Sequence, residues 1–315
     1  MLMKAMQVQE APNGLMLHPA QVSQPTPRKT DVLIRVHAAG IIPTELQWEP
    51  TTQTKTGARR SNAIPSHEFS GVIAGRGDAV HDFNIGQPVY GMNDWYADGA
   101  LAEFCLTQPS SIAPKPLTLS WEEAATVPIS ALTAWQGLFD HARLQPKEKI
   151  LIHGGSGGVG TFAIQLARRH GAQIIATTST KNISMVKQLG ADEVIDYKIS
   201  RFQDLVRDVD VVFDTVGGET LELSWSLLKP NGRMVTIVSE PPSNDPRAKK
   251  SFFIVEPIQR QLVEIGELLD AGSLKTFVNA ILPLEDAAKA YTKPLPHELG
   301  YGKIVITVPN GGQTS

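Results

Sequence analysis

The sequence predicts an α/β protein with two parts, a doubly wound parallel sheet of six strands and a second, β-rich domain. Three observations carry this. Strands and helical stretches alternate from Lys149 to about Glu256. A glycine cluster follows the first of those strands and opens a helix. Before about residue 120, short β-branched runs are broken by proline and glycine, which favours short strands and turns over long helices. A chain of 315 residues has room for two cores, since one domain typically takes ~100–200. The expected division is 1–121 with 257–315 for the β-rich domain, and 122–256 for the parallel sheet.

Taken in order, Asp31–His37, Gly71–Ala74 and Gln87–Gly91 are expected strands, and the polar, basic stretch Pro50–Ser61 an exposed loop. Ser120-Trp-Glu-Glu123 has the spacing of a capping box, so a helix should start there, and Ile129–Leu138 is helical again. The six parallel strands are expected at 149–153, 173–178, 192–195, 209–214, 232–238 and 252–255. Pro257–Ala271 follows as a helix with Leu262, Ile265 and Leu269 on its apolar side. Lys303–Val308 alternates like a strand after the parallel sheet is complete, so it should return to the first domain.

The glycine cluster is Gly155, Gly157 and Gly160, with strand 149–153 before it and the helical pattern Val159–His170 after it. That context turns G-x-G-x-x-G into a dinucleotide fingerprint. The first glycine is expected to turn the chain, the second to admit a pyrophosphate, and the third to let the helix pack close. Free N–H groups at the helix start favour the anion. An NAD site carries Asp or Glu about 20 residues further on, for the ribose hydroxyls. Here the second strand ends in Ala176-Thr-Thr-Ser-Thr-Lys181, with no carboxylate. Thr178 and Ser179 can donate hydrogen bonds and Lys181 can supply charge, which suits the 2′-phosphate of NADPH. The same hydroxyls would also serve as a helix N-cap, and the two roles are compatible.

Composition excludes several classes. Hydrophobic residues are 42% and charged residues 19%, with a net charge of −3, so nucleic acid and anionic membranes are not expected partners. No apolar run approaches the ~18 residues of a membrane span. One cysteine, Cys105, excludes an intrachain disulfide and a multi-cysteine zinc lobe. The opening Met-Leu-Met-Lys-Ala-Met lacks a signal-peptide layout, and the expected location is the cytoplasm. No internal repeat is visible.

Many motifs in order resemble one family. They include Ala39-Gly-Ile-Ile-Pro-Thr-Glu45, Ile64-Pro-Ser-His-Glu-Phe-Ser-Gly71, Ala124–Pro128, Leu132-Thr-Ala-Trp135, His153–Gly160 and Leu189–Tyr197. Phe213–Gly218, Leu228–Arg233, Phe252–Pro257 and Gly302–Ile306 continue the series. The chain is similar to the medium-chain dehydrogenase/reductase superfamily, in its zinc-independent quinone oxidoreductase branch. That resemblance implies a GroES-like catalytic domain, a Rossmann NADPH-binding domain and a homodimer. It also implies that Thr133, Ser156, Gly158, Val159, Tyr197, Val216, Val238, Phe253 and Val255 join the glycines, Thr178, Ser179 and Lys181 around the cofactor.

The zinc alcohol dehydrogenases of that superfamily use Cys, His and a third Cys or Glu. Here His67 stands at the histidine place, Ile42 at the first cysteine place, and no third ligand is visible near Ser130. A catalytic zinc needs three protein ligands, so no metal is expected, and His67 and Glu68 should bond within the cleft wall. Without a Lewis acid, hydride transfer to a quinone or to an α,β-unsaturated carbonyl is easier than alcohol oxidation. The asparagine common in quinone reductases is also replaced by Ile42, which leaves an apolar pocket with Trp48 and Tyr96 as lining candidates. Both aromatics could equally pack in core or loop. No catalytic triad or Tyr/Lys pair is present, and no protein acid can be named, which leaves solvent as a proton source. The alternatives are an enoyl reductase for longer acyl chains and a non-catalytic NADPH-binding sensor. Finally, the apolar run Phe252–Val255 is expected at a sheet edge, where pairing with a second copy would cover it; Pro257 and the following helix could instead cover it within one chain.

Overall fold

The computed structural model describes residues 1–11, 14–238, 246–292 and 300–309. β1 (Leu2–Ala11) and β2 (Gly14–Ser23) form an antiparallel ribbon. β3 (Val32–Ile41), β4 (Glu68–Arg76), β5 (Pro88–Met92), β6 (Phe104–Thr107) and β7 (Ile112–Pro114) build the β-rich domain. β3 is its centre, and all but Arg35 and His37 of its residues are buried, as its near-continuous apolar run requires.

The parallel sheet contains β8 (Lys149–Ile152), β9 (Gln173–Thr178), β10 (Glu193–Asp196), β11 (Val209–Asp214) and β12 (Leu228–Thr236). Its order is β10-β9-β8-β11-β12, so the order reverses between β8 and β11. Ligands of open α/β sheets bind outside the carboxyl ends of the strands at that reversal. β13 (Val278–Pro283) and β14 (Lys303–Thr307) then extend the first sheet, in the order β13-β14-β3-β4-β5-β7, with β6 also paired to β3. The return of the last strand to the first domain is as the sequence indicates.

The capping box forms: Ser120 caps helix Trp121–Ala125, and the Glu123 carboxylate accepts from the Ser120 amide at 2.9 Å. The helix expected over 257–271 is Gln259–Asp270, and Leu262, Ile265 and Leu269 are buried in a core shared with Tyr90 and Met92 of the β-rich domain. The Tyr90 hydroxyl donates to the Leu262 carbonyl at 2.6 Å, tying this helix to the β-rich domain.

Three expectations need correction. The parallel sheet has five strands among the described residues. The sixth is reduced to one bridge between Phe252 and Thr236, because Phe253 and Val255 turn into the core and Phe253 stacks on His141 at 4.3 Å. The helix read as continuous over 129–138 is an α-helix, Pro128–Trp135, followed by a π-turn, Gln136–His141. Gly137 packs on the Phe213 ring there, and Gln136 bonds the backbone of Glu256 at 2.8 and 3.0 Å. The loop Pro50–Ser61 is mainly exposed but starts within a helical turn, Glu49–Thr52, with Thr51 buried. No helix among the described residues is long and apolar enough to cross a membrane.

Candidate active site

The dinucleotide cradle lies where β8 ends. Gly154, not Gly155, turns the chain, with φ +75°. Gly155 packs instead against Ile164 and Ala176 of the following helix and strand. Helix Gly158–His170 begins at Gly157 as N-cap, which has no capping side chain. Gly160 has no room for a side chain: an added Cβ would overlap the Gly154 carbonyl oxygen. Gly157 faces open space, where an added Cβ meets only Gly154 O at 3.4 Å. The first-turn N–H groups are left for an anion.

Beside the cradle, β9 ends in Thr178, whose Oγ1 is buried without a partner. Ser179 is the N-cap residue of the turn Thr180–Asn182, but its side chain makes no capping bond. Its hydroxyl accepts only a long 3.4 Å bond from the Asn182 amide, so it remains available to a ligand. Lys181 is exposed and its ammonium lies against Gly300. Tyr197 is 58% exposed, with its amide bonded to the Thr178 carbonyl at 3.1 Å. These groups share the carboxyl ends of β9 and β10. Val216 is exposed beside Gly154, and Val238 packs on Gly217. Ser156, Gly158 and Val159 belong to the cradle itself, and Thr133 is buried on helix Pro128–Trp135. Phe253 and Val255 have their side chains in the domain core, which leaves their backbone for any cofactor contact.

Between the domains, Trp95 rather than Tyr96 makes the aromatic wall. Its ring lies 5.4 Å from that of His67 and 5.5 Å, edge-on, from that of Trp48. Ile42 packs, half-buried, against the same core as Trp95. Tyr96 instead carries the Lys55 ammonium 5.5 Å over its ring. His67 is buried, and its Nδ1 has no partner. Burial holds its imidazole neutral, with the pKa pushed down to about 4.

Behind this wall lies a polar cluster. The Glu68 carboxylate accepts from the Ile129 amide at 3.0 Å and from the Lys303 ammonium. Lys303 Nζ also donates to Ser130 Oγ at 3.2 Å, and Ser130 abuts Gly158 at the cradle. Burial pushes the Lys303 ammonium below the ordinary lysine range. Glu45 is buried and bonded to the Ser66 amide at 2.9 Å and to the Tyr291 hydroxyl. Burial raises its pKa to about 7, against the pull of those bonds. Lys303 and Tyr291 were not legible as site residues, since their partners lie 235 and 246 residues away. The signal available for Lys303 was a lone charge at the start of an apolar strand.

The mouse (Mus musculus) quinone oxidoreductase is 32% identical over 97% of this chain and 98% of its own length. This chain belongs to the medium-chain dehydrogenase/reductase superfamily, in its quinone oxidoreductase-like branch. An alcohol dehydrogenase GroES-like domain matches residues 28–136, and a zinc-binding dehydrogenase domain matches 189–306. The structure of the quinone oxidoreductase from Coxiella burnetii superposes with a TM-score of 0.87 at 28% identity, covering 98% of this chain and all of that one. The CurK enoyl reductase superposes at 0.82 with 25% identity, over 98% of this chain and 99% of its own. A nicotinamide cofactor and an oxidoreductase role follow from this membership.

The nicotinamide dinucleotide fits: the side-chain-free face at Gly157 and the unpartnered Thr178 hydroxyl offer it space and a bond. A catalytic zinc does not. Ile42 and Ser130 offer no ligand of the usual kind beside His67, and Cys105 is buried on β6 in the first domain's core. Among the described residues no three His, Cys, Asp or Glu side chains are grouped to hold a metal.

Proposed function

We propose that this protein is an NADPH-dependent reductase that delivers hydride, without a metal, to a quinone or an α,β-unsaturated carbonyl. The observation that carries the reading is a glycine turn left free of side chains at Gly157, in a chain whose Ile42, Trp48 and Trp95 offer no metal ligand. Bound NADPH would supply the hydride. Ser179, Lys181 and Tyr197 would hold its 2′-phosphate, and the helix start at Gly157 its pyrophosphate. A cleft with no Lewis acid suits an acceptor that delocalises the incoming charge itself, and the proton comes from solvent. The exposed Ile254 beside β12 supports a dimer in which two copies meet at this edge.

The test is NADPH oxidation with a small quinone, a small enal and a longer enoyl thioester, before and after dialysis against a chelator. Metal-independent turnover of the quinone or the enal is expected. Turnover of the thioester alone would assign the chain to the enoyl reductases, which the likeness to CurK supports. Tight NADPH binding with no turnover of any acceptor would make it a sensor and end the reductase reading.

A further inference from the structure

The turn that carries His67 and Glu68 into the cleft is held in an unusual way. Ser66 has φ +67°, a conformation that a residue with a side chain rarely adopts. Such a backbone persists only where its surroundings over-determine it, and it concentrates at functional sites. Here every polar group of Ser66 is engaged. Its hydroxyl donates to the Gly40 carbonyl at 2.9 Å, and its carbonyl accepts from the Ala100 amide at 2.6 Å. Its amide donates to Glu45 Oε2 at 2.9 Å. Glu45 is itself fixed, because Oε1 accepts from the Tyr291 hydroxyl. Tyr291 ends the helical segment Leu284–Tyr291, which packs on the core of the β-rich domain and arrives from the far end of the chain.

We propose that Glu45 and Tyr291 are a positioning pair: together they brace the left-handed Ser66 and so set His67 against Trp95 and Glu68 beneath Lys303. Neither brace residue lies at the glycine cradle. Two consecutive residues after Ser66 serve the cleft in different directions, one toward the aromatic wall and one toward the domain junction. A relaxed Ser66 would rotate both at once. The carboxylate is suited to this, because one oxygen takes the amide and the other the phenol, a fork that a shorter side chain would not reach. The kinetic arm of the test rests on the reductase reading; the spectroscopic arm does not.

The experiment compares Tyr291→Phe, Glu45→Ala and Glu45→Gln with wild type. Readouts are thermal unfolding, NADPH affinity, kcat and KM for a quinone or enal, and the ring NMR signals of 15N-histidine protein. Tyr291→Phe should stay folded and keep its NADPH affinity while kcat falls about ten- to a hundredfold, the scale of an ångström's misplacement. The His67 signals should move and those of buried His153 should not. Glu45→Gln should retain near-wild-type kcat, since its oxygen accepts from Ser66 and its amide donates to the Tyr291 oxygen. Unchanged kcat and unchanged His67 signals in Tyr291→Phe would overturn the proposal. So would Glu45→Gln as damaging as Glu45→Ala, which would make the carboxylate a proton carrier. If wild type reduces no acceptor, the reductase reading fails, and the His67 signals alone decide the positioning role.

Discussion

Two glycines of the cradle three residues apart should fail in opposite ways when each gains one methyl group. At Gly160 an added Cβ overlaps the Gly154 carbonyl oxygen and lies 2.8 Å from Gly155 Cα, where ordinary contact begins at 3.4 Å. Both obstacles are backbone, so the helix start or the turn must move by more than half an ångström. Overpacking of that kind costs roughly 1–3 kcal/mol. At about 2–4 °C per kcal/mol for domains of this general size, the expected loss in Tm is about 2–12 °C. At Gly157 the methyl meets only Gly154 O at the edge of ordinary contact, and φ is −76°, which alanine adopts freely. Gly157→Ala should therefore lose less than Gly160→Ala and melt within about 2 °C of wild type. Yet its methyl stands where the pyrophosphate approaches, so NADPH affinity should fall while stability holds. Thermal melts of the cofactor-free protein and fluorescence titration with NADPH measure the two quantities separately. Wild-type NADPH affinity in Gly157→Ala would refute the placement of the cofactor on this turn. A melt of Gly160→Ala equal to wild type would refute the packing argument.

Three further outcomes are expected. Lys181→Ala should weaken NADPH about tenfold and leave NADH unchanged, since an exposed charge pair is worth about 1 kcal/mol per unit charge and the phosphate carries up to about two; equal losses in titrations of both cofactors would sink the assignment. Light scattering should find a dimer, and Ile254→Pro should run as a monomer; a monomeric wild type ends the proposal, and a folded dimeric variant moves the interface elsewhere. Stability should fall from pH 7.5 to 5. His67 and His153 have folded pKa values lowered to about 4 and about 3, chiefly by burial, so below the ordinary 6.5 the unfolded chain binds more protons. Glu45, raised to about 7 by burial, opposes this, while Lys303, lowered by burial, adds to the loss, so the two imidazoles set the sign; urea midpoints that do not fall would contradict their burial.

What the sequence shows plainly is what local chemistry decides. The run Lys149–Ile152, the glycines after it and the helix beyond form one continuous signal, and the Ser120 capping box forms as written. Errors of one residue arise where neighbours are chemically alike. Gly154 rather than Gly155 turns the chain, and Trp95 rather than Tyr96 faces His67, because only the fold determines which neighbour points inward. Phe252–Val255 reads as a strand because an apolar run suits a strand and a core-packed extended segment equally. The ribbon β1–β2 leaves little trace in the sequence, because β2 is largely exposed and contains Pro19, so its hydrophobic alternation is weak. The brace of Ser66 and the Glu68–Lys303 pair join distant segments, and no spacing rule reaches them.

The placement of β14 has a consequence for how the chain comes into being. Its residues Ile304–Thr307 pair with Ala38–Ile41, at the heart of the first sheet. A ribosome delivers β3 early and β14 only after the whole parallel sheet. Until then the Ala38–Ile41 edge offers apolar, unpaired backbone, the kind of surface that seeds aggregation. The parallel sheet is contiguous from Lys149 to Thr236 and can close first, as a foundation on which the β-rich domain is finished last. A chain cut short before β14 would lose its oldest fold rather than its newest.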